Sequence, residues 1–224
     1  MKICLLFAMT DEAQPLIDQL MPELVEELPY KIYRKGDTLI AISGVGIANS
    51  SSCFTYVETK YNCQYYINSG LVGCVSENLK SLDLVLIDKV YNSTADATGF
   101  GYDYGQVPKM PKSYSSDSTL KNDFNKTNNF KNVNIASSDV FINNLPKKLL
   151  FILPINDEID VVDMECAGFY QAAYIFKKPI MSFKIVSDTL SEPSNETQFK
   201  TILDFASQEI AKKIISFLET KNYL

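Results

Sequence analysis

The sequence contains no histidine. That removes the side chain that most often carries protons near neutral pH and most often ligates metals, so proton chemistry falls to carboxylates, lysine, tyrosine or cysteine. Arg34 is the single arginine, too few for a site that clamps phosphate between several guanidinium groups. The cysteines Cys4, Cys53, Cys63, Cys74 and Cys166 are odd in number and show no CxxC spacing, which argues against a disulfide framework and a zinc site. They read as small buried hydrophobes, and neither a metal nor a cofactor is expected. No apolar run approaches the roughly 20 residues needed to cross a bilayer, and the N-terminus lacks the basic-then-apolar build of a signal segment. A cytoplasmic protein with no membrane partner is expected. The net charge is −6 and the basic residues are scattered instead of forming a stripe, so nucleic acid is not an expected partner either.

What is present is an apolar fraction of 46%, enough for one packed domain over residues 1–224. Lys2 to Met9 is a continuous apolar run, as in a buried strand, and Thr10-Asp11-Glu12 then supplies helix-start chemistry. Strands are predicted at Tyr30 to Tyr33 and Thr38 to Ser43, and a helix over Ala48 to Tyr61. A short strand at Tyr65 to Asn68 leads into a glycine-interrupted turn, Ser69 to Gly73, and then a strand at Asp83 to Tyr91. The long stretch from Asn92 to Ser118 reads as a binding loop. A polar helix follows near Ser118 to Asn128. Strands are predicted at Asn132 to Ala136, Glu158 to Asp163 and Pro179 to Val186, with helices at Glu165 to Phe176 and Thr197 to Thr220. This alternation argues an α/β fold, a three-layer sandwich with helices on both faces of a central sheet.

In such sheets ligands gather where strands end and loops begin. Three carboxylates stand at predicted strand exits: Glu12, Glu165 and Asp188. Each alone has a structural account, because the first two suit the first turn of a helix and Asp188 suits a cap of the Ser187-Asp188-Thr189 turn.

Their neighbourhoods carry more. KICLLFAMTDE, INSGLVG, GFGYDYGQVP, SSDVFI, VVDMECAG and KIVSD follow one another in that order. Together they resemble the bacterial 5'-methylthioadenosine/S-adenosylhomocysteine nucleosidases of the nucleoside phosphorylase superfamily. The resemblance runs from Met1 to about Phe205, and it implies a mixed central sheet flanked by helices in a homodimer whose sites borrow residues from the neighbouring subunit. It also implies a small-molecule nucleoside substrate, with 5'-deoxyadenosine a further candidate. By the same resemblance Glu12 is the general base that activates water, Glu165 binds the ribose hydroxyls beside Met164, and Asp188 is the acid that protonates N7 of adenine. Phe141 would stack on the adenine, and the Ile142 backbone would pair with the purine edge. Met9 would sit by the sugar, with Val45 and Phe199 on the 5' side. Phe100, Tyr102 and Pro108 would close the alkylthio pocket from the neighbouring subunit. The chain departs from the family pattern at Leu71, usually serine, at Phe7, usually glycine, and at Lys184, usually arginine; the acid two residues before Glu165 is Asp163.

The residue types suit glycosidic cleavage independently of the resemblance. Positive charge grows on the sugar and negative charge on the departing base, so carboxylates by the sugar and a carboxylic acid at the base stabilise both halves without histidine. The alternatives are a purine nucleoside phosphorylase of the same superfamily, for which a lone arginine is a poor phosphate site, and a non-catalytic purine-binding module, which would have no reason to keep all three acids.

Overall fold

A computed structural model describes residues 2–155, 157–190 and 195–224. β1 (Ile3–Phe7) is buried along its whole length because it lies between β4 (Thr38–Ile42) and β5 (Tyr65–Cys74), parallel to both. β3 (Lys31–Lys35) and β2 (Glu23–Glu26) extend the sheet antiparallel beyond β4, and their more polar, exposed residues suit an edge. On the other side β5 pairs with β9 (Val161–Asp163) and β10 (Ile180–Thr189), and β9 continues to β8 (Lys131–Ser137) and β6 (Leu84–Asn92). β6 pairs back onto β10, so five strands of the mixed sheet close into a ring, and β7 (Ser113–Ser115) pairs with β6 beyond the residues that pair with β10.

Helices cover both faces, as the alternation predicts. Cys4 and Leu6 of β1 join the core under α2 (Ile47–Tyr61) and α5 (Cys166–Phe176), whereas Ile3, Leu5 and Phe7 join the core under α1 (Thr10–Leu20) and α6 (Asn195–Lys221). This period-2 split on one strand is what makes three layers. α3 (Ser118–Asn125) docks Leu120 and Phe124 against the α1 and α6 side. A third apolar cluster around Ile142, Ile152 and Ile155 lies under a short helical stretch that starts as α4 (Leu145–Lys147), widens into a π turn and ends in a 3-10 turn at Ile155. No helix among the described residues is long and apolar enough to cross a membrane.

Two local expectations are overturned. Ser69 to Gly73 is not a turn but the middle of β5, paired with β10 and, at Gly73, with β9. Glycine favours turns only while its backbone has no better partners, and here β10 pairs along the segment and β9 joins it at Gly73. The Ser187-Asp188-Thr189 segment likewise stays in β10, with a bulge between Val186 and Asp188 where the register to β5 slips by one residue. The Glu158 to Asp163 strand shortens to Val161–Asp163, and the long loop after β6 contains a 3-10 turn at Thr98–Phe100 as well as β7.

Candidate active site

The two glycines of β5 make room for two acids. Gly70 has φ +141°, and a Cβ there would lie 2.5 Å from Oε1 of Glu12, so only glycine lets the carboxyl rest on the strand. The Leu71 amide then donates to Oε1 at 2.9 Å, and the Met9 amide donates to Oε2 at 3.1 Å. Glu12 therefore closes the start of α1, as its helix-start position predicts, and is also tied to the central sheet. Gly73 stands opposite Asp188 in the register of β5 and β10, where a Cβ would come within 3.2 Å of Oδ2. The bulge at Ser187 brings Asp188 onto that register, and the Ser187 hydroxyl donates to its Oδ1.

Glu165 is the residue that begins α5, directly after β9. Its Oε1 accepts from the Gly46 amide at 3.0 Å, and its carbonyl accepts from Ser50 Oγ at 3.0 Å, so the start of α2 holds it from two directions. Asp139 secures that same start by accepting from the Ile47 amide at 2.8 Å. Deeper in the core, Lys184 pairs with Asp163 at 3.3 Å, with 3% and 2% of their side chains exposed. Asp163 also accepts from Ser137 Oγ at 2.6 Å and from the Cys166 amide at 3.1 Å, which satisfies the buried carboxylate and caps α5.

Burial pushes the Glu12 carboxyl above its usual range, against the opposing pull of Lys184 and its two amide donors. Burial, reinforced by the neighbouring Asp163 charge, raises Glu165 to about 8. Burial works against the Lys184 charge too, but Cys166, Asp163, Glu12 and Glu165 around it outweigh that cost and hold its pKa above the ordinary lysine value. One buried cation thus stands among the acids and partly offsets the cost of charging Glu12 and Glu165.

Glu12, Glu165 and Asp188 all line one cavity of about 290 Å³, with walls that are largely apolar. Lys200 and the buried Asp163 line it as well. Among the described residues no group of three or more His, Cys, Asp or Glu side chains is arranged to hold a metal ion. What the arrangement offers is a largely apolar slot for a flat or apolar group, lined by carboxyl groups of which Glu12 and Glu165 hold a proton more tightly than in water.

The model of the phosphorylase superfamily matches residues 2–219. The 5'-methylthioadenosine/S-adenosylhomocysteine nucleosidase of Exiguobacterium sp. is 30% identical over 227 residues, covering 96% of this chain and 97% of the relative. The chain belongs to this nucleosidase family of the phosphorylase superfamily. The enzyme of the same name from Staphylococcus epidermidis is 30% identical over 82% of each chain. Among solved structures, the Streptococcus pyogenes S-adenosylhomocysteine nucleosidase bound to 5-methylthiotubericidin matches with a TM-score of 0.87 at 27% identity, covering 98% of this chain and 97% of that one. The Neisseria meningitidis nucleosidase bound to methylthio-immucillin-A matches in fold with a TM-score of 0.90 at 22% identity, covering 98% and 99%.

Set against the nucleosidase pattern, the residues expected within one chain come together: Met9, Val45, Phe141, Ile142, Met164 and Phe199 line the cavity with the three acids. Phe100, Tyr102 and Pro108 do not line it, and Phe100 stands 87% exposed on its 3-10 turn. Leu71, at the family's usual serine, lines the wall and contributes its amide to Glu12. The Lys184–Asp163 pair was visible in the sequence only as departures from the family pattern. A lysine inside the apolar run of β10 was nonetheless a signal, because a charge in a buried strand requires a buried partner. The space-making role of Gly70 and Gly73 had no local signal.

Proposed function

We propose that the chain hydrolyses the N-glycosidic bond of 5'-methylthioadenosine and S-adenosylhomocysteine, releasing adenine and the 5'-thioribose. The observation that carries this reading is the convergence of Glu12, Glu165 and Asp188 on one largely apolar cavity. In the mechanism the bond between C1' and N9 breaks, its electron pair leaves with adenine, and Asp188 delivers a proton to N7. Water adds to C1' as Glu12 takes its proton, and Glu165 holds the sugar hydroxyls. The amides of Met9 and Leu71 orient Glu12 without supplying it a proton, which suits a base. Phe141 and Ile142 offer an apolar wall and a main-chain edge for the purine, and Met9, Val45, Met164 and Phe199 enclose the sugar and its 5' group. 5'-Deoxyadenosine fits the same scheme, since its 5' end is smaller and apolar.

Among the described lining residues Lys200 is the only cation, too few for a phosphate clamp. Arg34 lies on β3 with its Nε donating to the Gly36 carbonyl, and Lys184 is engaged by Asp163. The test is release of free adenine from methylthioadenosine in phosphate-free buffer, lost in Glu12→Gln; acceleration by phosphate with a ribose 1-phosphate product would overturn the reading.

The working unit we propose is a homodimer in the cytoplasm, with Phe100, Tyr102 and Pro108 closing the partner's pocket. Support comes from Phe100 and from Leu145, Leu149, Leu150 and Leu153, large apolar side chains that a single chain leaves in solvent. The cysteines are unpaired and buried, in keeping with a reducing compartment.

A further inference from the structure

We infer that Lys200 is a specificity-determining residue that pairs with the carboxylate of the amino-acid tail of S-adenosylhomocysteine, an inference that rests on the proposed hydrolysis. The cavity is lined by the acids Glu12, Asp163, Glu165 and Asp188, and Lys200 is the only basic side chain among its described lining residues. Lys184 balances Asp163 from within the core but does not line the cavity. Lys200 is exposed, follows the wall residue Phe199 on α6, and makes no ion pair among the described residues. Among the described residues it therefore stands at the rim without a carboxylate partner.

The two substrates differ in what they bring to that rim. Methylthioadenosine ends in a neutral methyl group, whereas the homocysteine tail carries a carboxylate and an ammonium. The lining acids offer partners to the ammonium, but none of them can counter the charge of the carboxylate. The tail carboxylate needs a counter-charge beyond the acids, and Lys200 is the lining group that supplies it. An exposed pair of this kind is modest in strength, so the effect is a bias between substrates rather than an absolute requirement.

The experiment measures kcat/KM for S-adenosylhomocysteine, for methylthioadenosine and for a tail analogue that keeps the ammonium but lacks the carboxylate. Wild type is compared with Lys200→Met, Lys200→Arg and Lys200→Glu. The readout is the ratio of S-adenosylhomocysteine to methylthioadenosine, in which any general disturbance of the rim cancels. Lys200→Met should lower that ratio about 3–10-fold, Lys200→Glu should lower it further, and Lys200→Arg should retain it. The wild-type ratio should fall with added salt, and the salt dependence should vanish in Lys200→Met. Loss of the lysine should not penalise the analogue without a carboxylate relative to methylthioadenosine. An unchanged ratio in Lys200→Met and Lys200→Glu overturns the inference alone. Failure of the wild type to release adenine from any of the three overturns the hydrolysis reading, and this inference with it.

Discussion

Asp188 sits opposite a glycine on a bulged strand, where an amide of the same shape would fit equally well. Asp188→Asn therefore separates chemistry from structure, because asparagine packs as aspartate does and its Oδ1 can still accept from Ser187, but it cannot protonate a leaving group. The expected outcome is a fall in kcat of ~10²–10⁴-fold with little loss of substrate binding, measured by adenine release and by calorimetry with an uncleaved analogue. Wild-type turnover in this variant would remove Asp188 from the mechanism. Glu165 makes a different prediction, about pH. Its carboxyl is raised from 4.5 to about 8 in the folded chain. A raised acid favours the folded state while it is protonated, so its contribution is fully present below about 4.5 and is lost as pH rises through about 8. The unliganded wild type should thus lose stability across that window, by at most a few kcal/mol, relative to Glu165→Gln. Thermal melts of both proteins between pH 5 and about 8.5 check it; parallel curves would refute the burial argument.

At the scale of elements, the site depends on how closely α5 approaches α2. A Cβ at Gly168 would lie 2.1 Å from Ser50 Oγ and 2.3 Å from the Ile47 carbonyl, so glycine there lets the two helices touch. The same contact brings Ser50 and Gly46 to Glu165. Gly168→Ala should force the helices apart, costing ~1–3 kcal/mol in urea unfolding and raising KM as the Glu165 anchor loosens. Gly99→Ala, which has nothing within 4 Å, serves as the control for stability. Equal stability of the two variants would show that the helix pair has slack the packing denies. The other elements that matter are β5 and β10, whose parallel pairing sets Gly70 against Lys184 and Gly73 against Asp188. A one-residue slip would turn these side chains to the opposite face, so register here decides the chemistry.

At the scale of the molecule, the helices of one face hold Glu12 through α1, those of the other hold Glu165 through α5 and α2, and the sheet between them carries Asp188. The three layers thus each deliver one acid. Sedimentation at assay concentration should give a two-fold dimer, and Phe100→Asp should weaken association and turnover together. A fully active monomer would reject the shared site.

Much of this protein is written locally. The period-2 pattern of β1, the helix-start chemistry at Glu12 and Glu165, and the lack of histidine and of more than one arginine are properties of neighbouring residues or of composition. They suffice to name the layers and to direct suspicion to carboxylates. The ring closure of β10 onto both β5 and β6, the passage of β5 through Gly70 and Gly73, and the extension of β10 past its bulge to Asp188 are set by pairings between residues far apart in the chain. So is the Lys184–Asp163 ion pair. Glycine and an Ser-Asp-Thr run have local preferences for turns, but backbone groups buried beside partner strands must be hydrogen-bonded, and that requirement outweighs a preference worth ~1 kcal/mol. Local preference chose the pieces, and the demand to satisfy buried backbone and charge decided where the acids meet.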